Sequence, residues 1–174
     1  MKFERIGSRT LFEGRIATVL EEEYRYPDGR SAQREVVSHP GAVAVVAHDD
    51  EVVHLVRQPR EAVQEPKLLE LPAGKLDVAG EAPLAAAQRE LAEEVGIEAQ
   101  RWSELKRIYT SPGFAREVVH LFLATDLHEV DFVPDPEERI EIVRWSLGAL
   151  DSAIQECRDS KSLIGLLLLR QRLA

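Results

Sequence analysis

The stretch from Gly74 to Ile97 constrains the fold more than any other part of the chain. It reads as a loop feeding a helix. Gly74 and Gly80 punctuate the loop. Pro83 suits the first turn of a helix, where its missing N–H costs nothing, and Gly96 sits where a helix stops in a left-handed cap. At about 100° per residue, Leu84, Ala87, Gln88, Leu91 and Val95 fall on one side, mostly apolar, and predict the face that packs on a core. Glu90, Glu93 and Glu94 cluster on another side. Like charges one turn apart destabilise a helix by roughly 0.2–0.5 kcal/mol per pair. A solvated acidic face tolerates that cost, and a bound cation removes it. Carboxylate oxygens suit Mg²⁺ or Mn²⁺, which bind through a few carboxylates plus substrate phosphates.

Composition bounds the partners. The chain has 174 residues, enough for one domain with a sizeable core. Its net charge of −9 argues against a nucleic-acid surface or an anionic membrane. The single cysteine, Cys157, excludes an internal disulfide and fits a reducing cytoplasm. No signal pattern is visible at the N-terminus, and the apolar runs fall short of the roughly 20 residues a bilayer requires. The expectation is a cytoplasmic protein with no membrane partner.

Strand signals surround the central stretch. Residues 16–26 and 31–39 flank the turn Tyr26-Pro27-Asp28-Gly29-Arg30 and predict a hairpin. The run Glu21-Glu22-Glu23 reads as a solvated edge, and residues 3–10 carry no pattern. Residues 41–47 read as a buried strand, 52–56 as the next, and 57–60 as a loop whose two arginines could grip phosphate. Strands follow at 101–109, 118–124 and 142–145, with a loop over 126–135 and helical segments at 147–159 and 162–173. Leucines cover most of the circumference of the last segment, which predicts a helix buried against the sheet or against a partner. His54, Trp102 and Trp145 read as structural residues.

The central stretch resembles the box of the Nudix hydrolase family, G-x5-E-x7-R-E-U-x-E-E-x-G-U, with U a bulky apolar residue. Glu81, Arg89, Glu90, Leu91, Glu93, Glu94, Gly96 and Ile97 fit. Gly74 lies one residue too early, which makes the loop G-x6-E. The resemblance implies an α+β fold: an α/β/α sandwich, with a mixed β-sheet between helices and a small N-terminal antiparallel sheet. Within the family, the run Glu70-Leu71-Pro72-Ala73-Gly74 and a proline about fifteen residues past the box, here Pro112, resemble the ADP-ribose pyrophosphatase branch. That branch implies an N-terminal sheet at residues 1–40 exchanged across a homodimer, and a Nudix domain at 41–174.

The resemblance also implies the site. Two or three Mg²⁺ (or Mn²⁺) ions would be held by the Ala73 carbonyl, Glu90, Glu93 and Glu94, with Glu93 also a catalytic candidate. The water base would come from the acidic loop at 136–141. Counting back from Trp145 gives Glu138, with Glu137 and Glu141 as alternatives. Arg34, Arg57, Arg60, Glu70, Pro112, Gly113 and Glu117 are the implied substrate contacts, with Arg60 ahead of Arg57. The branch usually has an acidic residue where Arg116 stands. Arg89 is expected to be structural, paired with Glu81 and other box carboxylates. The implied partner is a small nucleoside diphosphate-linked substrate, ADP-ribose giving AMP and ribose 5-phosphate. Another nucleotide sugar such as GDP-mannose, or a non-hydrolytic ADP-ribose sensor, stands as the alternative. The Pro112 position and the lack of a basic patch disfavour oxidised nucleoside triphosphates and RNA caps.

Overall fold

The computed structural model describes residues 2–131 and 139–174. The chain divides into two compact units, one formed by residues 1–41 with 109–118, the other by 42–108 with 119–174.

The smaller unit is built on an antiparallel sheet of β1 (Glu4–Glu13), β2 (Thr18–Arg25) and β3 (Ser31–Ser38), in that order. The β2–β3 hairpin pairs Thr18 with Ser38 and Arg25 with Ser31, and its turn places Gly29 at φ 83°. Residues 4–13, featureless in sequence, form an edge strand. Nearly every side chain of β1 is exposed, so no apolar period marks it, and its ladder with β2 holds it. The run at 21–23 is not a uniform solvated edge. Alternation along β2 turns Glu22 inward, fully buried.

The larger unit holds a seven-stranded mixed sheet. Its path is β10 (Glu141–Ser146), β5 (Val52–Arg60), β4 (Ala42–His48), β9 (Val118–Glu129) and β8 (Ile97–Tyr109), with β6 (Glu65–Glu70) on β5 and β7 (Ala73–Lys75) on β4. The β4–β9 pair is parallel, and β10–β5 and β4–β7 are antiparallel. Strand β4 is apolar from Ala42 to Ala47 because it is covered on both faces. Val43, Val45 and Ala47 pack with Ala86, Ala87, Leu91 and Val95 of α1 (Pro83–Val95). Ala44 and Val46 pack with Leu150 and Ala153 of α2 (Leu150–Glu156) and with Leu166 and Leu169 of α3 (Ser160–Leu173). The result is the expected helix–sheet–helix sandwich.

Several boundaries differ from the sequence reading. Residues 57–60 belong to β5, not to a loop. Pro59 is accommodated at a register shift between Gln58 and Arg60, the kind of bulge where a missing N–H breaks no ladder bond. Strand β9 runs to Glu129, into the expected loop. In α1, Leu84 and Gln88 are exposed, and Ala86 and Glu94 complete the buried face instead. Helix α3 buries one face only, through Ser162, Gly165, Leu166 and Leu169, and leaves Leu167 and Leu173 exposed. Among the described residues, no helix is long and apolar enough to cross a membrane.

Candidate active site

Strand β7, the loop after it and α1 carry the box. Pro83 stands in the first turn of α1, and Gly96 closes the helix at φ 69°. The exposure of the three helical carboxylates is graded. Glu94 is buried, the Glu90 side chain is 13% exposed, and that of Glu93 is 58% exposed. Glu94 Oε2 accepts the Ala73 backbone N–H at 2.9 Å, which fastens α1 to β7. Gly74 is where Glu90 arrives. A Cβ there would lie 1.9 Å from the Glu90 carboxyl carbon, so a side chain at 74 would push the carboxylate from its place over β7.

Arg89 ties the junction together. Its Nε and Nη2 donate to the two oxygens of Glu81 at 3.0 and 3.1 Å, and its Nη1 donates to Glu90 and Glu93 at 2.9 and 2.8 Å. The Glu81 hydrogen bond is the main cause of a strongly raised guanidinium pKa, and in return it lowers that of Glu81. The longer loop therefore leaves Glu81 within reach of α1.

Arg57, Arg60 and Glu70 line up along β5 and β6. Arg57 pairs with Glu156. Arg60 donates to both oxygens of Glu70, at 2.6 and 2.8 Å. Glu70 is 1% exposed and takes a third bond from Lys161 Nζ at 2.6 Å. Burial alone would raise the Glu70 carboxyl pKa, but the Arg60 and Lys161 contacts outweigh it and the net shift is downward. Lys161 carried no signal in the sequence, because nothing but the fold brings α3 to β6. Glu141 opens β10 and pairs with Lys67 at 2.7 Å. Glu137 and Glu138 lie outside the described residues.

In the smaller unit, Arg34, Pro112 and Gly113 share one open groove of about 460 Å³, with Phe3, Tyr26 and Phe114 among its walls. The Arg34 guanidinium donates to the Gln33 carbonyl and to the Tyr26 hydroxyl. Glu117 faces His39 Nδ1 at 3.2 Å. The groove wall at 112–114 is pinned to β3, with Val37 N–H donating to the Phe114 carbonyl at 2.7 Å and Arg116 N–H to the Val37 carbonyl at 2.8 Å. Arg116, the departure from the usual acid, ends on buried Glu22, which also accepts from Tyr24 and Arg5. Burial would raise the Glu22 carboxyl, yet the Tyr24, Arg116 and Arg5 hydrogen bonds bring it down to about 2. The signal for Glu22 was its parity with Leu20 and Tyr24 along the strand. In the larger unit, a groove of about 890 Å³ lined by His48, Asp49, Arg101 and Trp102 contains none of the candidates.

Among the described residues, no group of three His, Cys, Asp or Glu side chains stands arranged to hold a metal ion. Arg89 now draws the Glu90 and Glu93 carboxylates to itself. The donor chemistry nevertheless fits a hard divalent cation, since carboxylates converge on β7 where Gly74 leaves space for Glu90.

A mixed sheet between helices, with a carboxylate-rich strand–loop–helix junction, defines the class. Residues 37–157 match the NUDIX domain, and the chain belongs to the Nudix family, whose enzymes generally need a divalent metal. The chain is similar to the ADP-ribose pyrophosphatase of Mycobacterium tuberculosis, 49% identical over 129 residues that cover 74% of this chain and 62% of that one. It is also similar to the ADP-ribose pyrophosphatase of Bacillus subtilis, 40% identical over 145 residues that cover 82% and 77%. A solved ADP compounds hydrolase shares the fold, with a TM-score of 0.84 at 24% identity, covering 99% of this chain and 95% of that one.

Proposed function

We propose that the chain is a Nudix pyrophosphohydrolase that hydrolyses a nucleoside diphosphate-linked substrate, ADP-ribose being the first choice. Water attacks one phosphorus, the bridging P–O bond breaks, and AMP and ribose 5-phosphate leave. The observation that carries this reading is the junction itself, where Glu90 crosses Gly74 and Glu94 is tied to Ala73. The names of the similar enzymes support the substrate class.

The Ala73 carbonyl, Glu90, Glu93 and Glu94 would hold Mg²⁺ or Mn²⁺. Such an ion, when bound, supplies Lewis acidity toward the phosphoryl oxygens and lowers the pKa of water. Arg89 stays fully cationic and keeps Glu81 and the helical carboxylates in register. Arg60 and Arg57 would meet the anionic diphosphate, since a guanidinium fork matches a phosphate edge. Glu138 would orient the water and take its proton, with Glu137 and Glu141 as alternatives. Glu141 pairs with Lys67. Arg34, Pro112, Gly113 and Glu117 would contact the nucleoside or the terminal sugar. The groove's aromatic walls suit a planar base. The proposal includes a cytoplasmic homodimer that exchanges its N-terminal sheets.

A substrate panel tests it. Release of AMP or GMP from ADP-ribose, GDP-mannose, NADH and diadenosine polyphosphates would be measured with Mg²⁺ and with Mn²⁺. ADP-ribose should turn over fastest, EDTA should stop turnover, and excess Mg²⁺ should restore it. Tight ADP-ribose binding with no hydrolysis across the panel would replace this reading with a sensor.

A further inference from the structure

Arg60 and Lys161 reach the same buried carboxylate from different elements, and they differ in freedom. The Lys161 side chain, in the first turn of α3, is 15% exposed, while that of Arg60 is 42% exposed. Lys161 is held twice, since its Nζ also donates to Asp159 Oδ2 at 2.9 Å. Asp159 is the N-cap of α3. Its Oδ2 accepts the Ser162 N–H at 3.0 Å and the Ser162 hydroxyl at 2.6 Å. Ser162 Oγ accepts the Leu71 N–H at 2.7 Å. The start of α3 thus grips Glu70 through its side chain and Leu71 through its backbone. Arg60 is the outer, more solvated cation of the group.

A buried carboxylate that loses its last cation is strongly destabilised, because its charge is left uncompensated away from water. Glu70 has two cations, so it can lose the outer one. An arginine that must trade a carboxylate for a phosphate does so more easily when the carboxylate keeps another partner. We propose that Lys161 is a positioning residue for phosphate recognition: it retains Glu70, so that Arg60 can leave that carboxylate for a phosphate of the substrate. The inference rests on the reading of Arg60 as a phosphate ligand.

The test follows binding of inorganic pyrophosphate by calorimetry in EDTA, which needs no hydrolysis. Lys161→Met should raise the dissociation constant about tenfold, Lys161→Arg should restore it to within about twofold, and Arg60→Ala should weaken binding by a similar factor. In the Arg60→Ala background, Lys161→Met should have no further effect, because the two act on one contact. With ADP-ribose and Mg²⁺, Lys161→Met should raise KM while leaving kcat within about twofold. If Lys161→Met lowers Tm and leaves pyrophosphate affinity and KM unchanged, Lys161 is merely structural and the proposal falls. It also falls if the wild-type protein does not bind pyrophosphate, or if the two substitutions add. Should Lys161→Met fail to fold, Lys161→Gln carries the test: it keeps a hydrogen-bond donor toward Glu70 without the charge and should still weaken pyrophosphate binding, and unchanged binding overturns the proposal. Pyrophosphate binding that follows Lys161 without turnover on any panel substrate would count against the hydrolytic reading alone.

Discussion

Gly74 and Glu90 form one functional unit at the residue scale, because the carboxylate occupies the space a side chain at 74 would need. Gly74→Ala should therefore resemble Glu90→Gln. On the proposed function both should lose about 10²-fold or more in kcat/KM, since each would disturb a carboxylate assigned there to the metal, and far-ultraviolet circular dichroism should stay unchanged. Full activity in either variant would remove Glu90 from the metal site. Glu22 gives a second residue-scale prediction, with a defined sign. Its carboxyl lies at about 2 in the fold against an ordinary 4.5. Its contribution to stability is present in full above pH 4.5 and is lost as the pH falls toward 2. Thermal melts of the wild type and of Glu22→Gln should differ at pH 6 and converge near pH 2. A gap that persists at pH 2 would mean that packing, not charge, makes Glu22 matter. Box residues could be read from sequence because their spacing is fixed by one helix. The roles of Arg116 and Lys161 could not, because their partners Glu22 and Glu70 lie 94 and 91 residues away.

Among the elements, legibility tracks burial. Helix α1 and strand β4 announced themselves, one by its caps and the other by an unbroken apolar run that two covering faces require. Strand β1 did not, because an edge strand with solvent on its side chains has no pattern to display. The 57–60 segment was misread for a local reason: Pro59 signals a turn unless a bulge absorbs it. Helix α3 turns only some of its leucines to the sheet, and leucine count alone does not say which ones. Gly165 does say it. A Cβ there would lie 2.5 Å from Leu71 Cδ1 and 3.0 Å from Val46 Cγ2, so α3 approaches β4 as closely as a glycine allows. Gly165→Ala should destabilise the protein by about 1–3 kcal/mol through overpacking, measured by urea unfolding. An unchanged midpoint would show that Leu71 and Val46 move aside at little cost. Leu167→Ala, on the exposed face, should change stability by under about 0.5 kcal/mol.

At the scale of the whole molecule, the smaller unit is the part that a partner would complete. Three strands with few buried side chains have little core of their own. Phe3, Leu11, Phe12 and Ile16, four large apolar side chains within residues 3–16, are 45–66% exposed. A second copy of the chain would cover that surface, as the proposed exchange requires. Light scattering after size-exclusion chromatography should then give about twice the chain mass of 19.6 kDa. Phe12→Glu, which puts a charge where the partner would sit, should shift the protein toward monomer and lower its melting temperature. The α1 junction in the other unit would remain folded, detectable as retained stabilisation by Mn²⁺ in thermal melts. A wild-type protein that elutes as a monomer would sink strand exchange and leave the apolar segment of β1 in need of another partner.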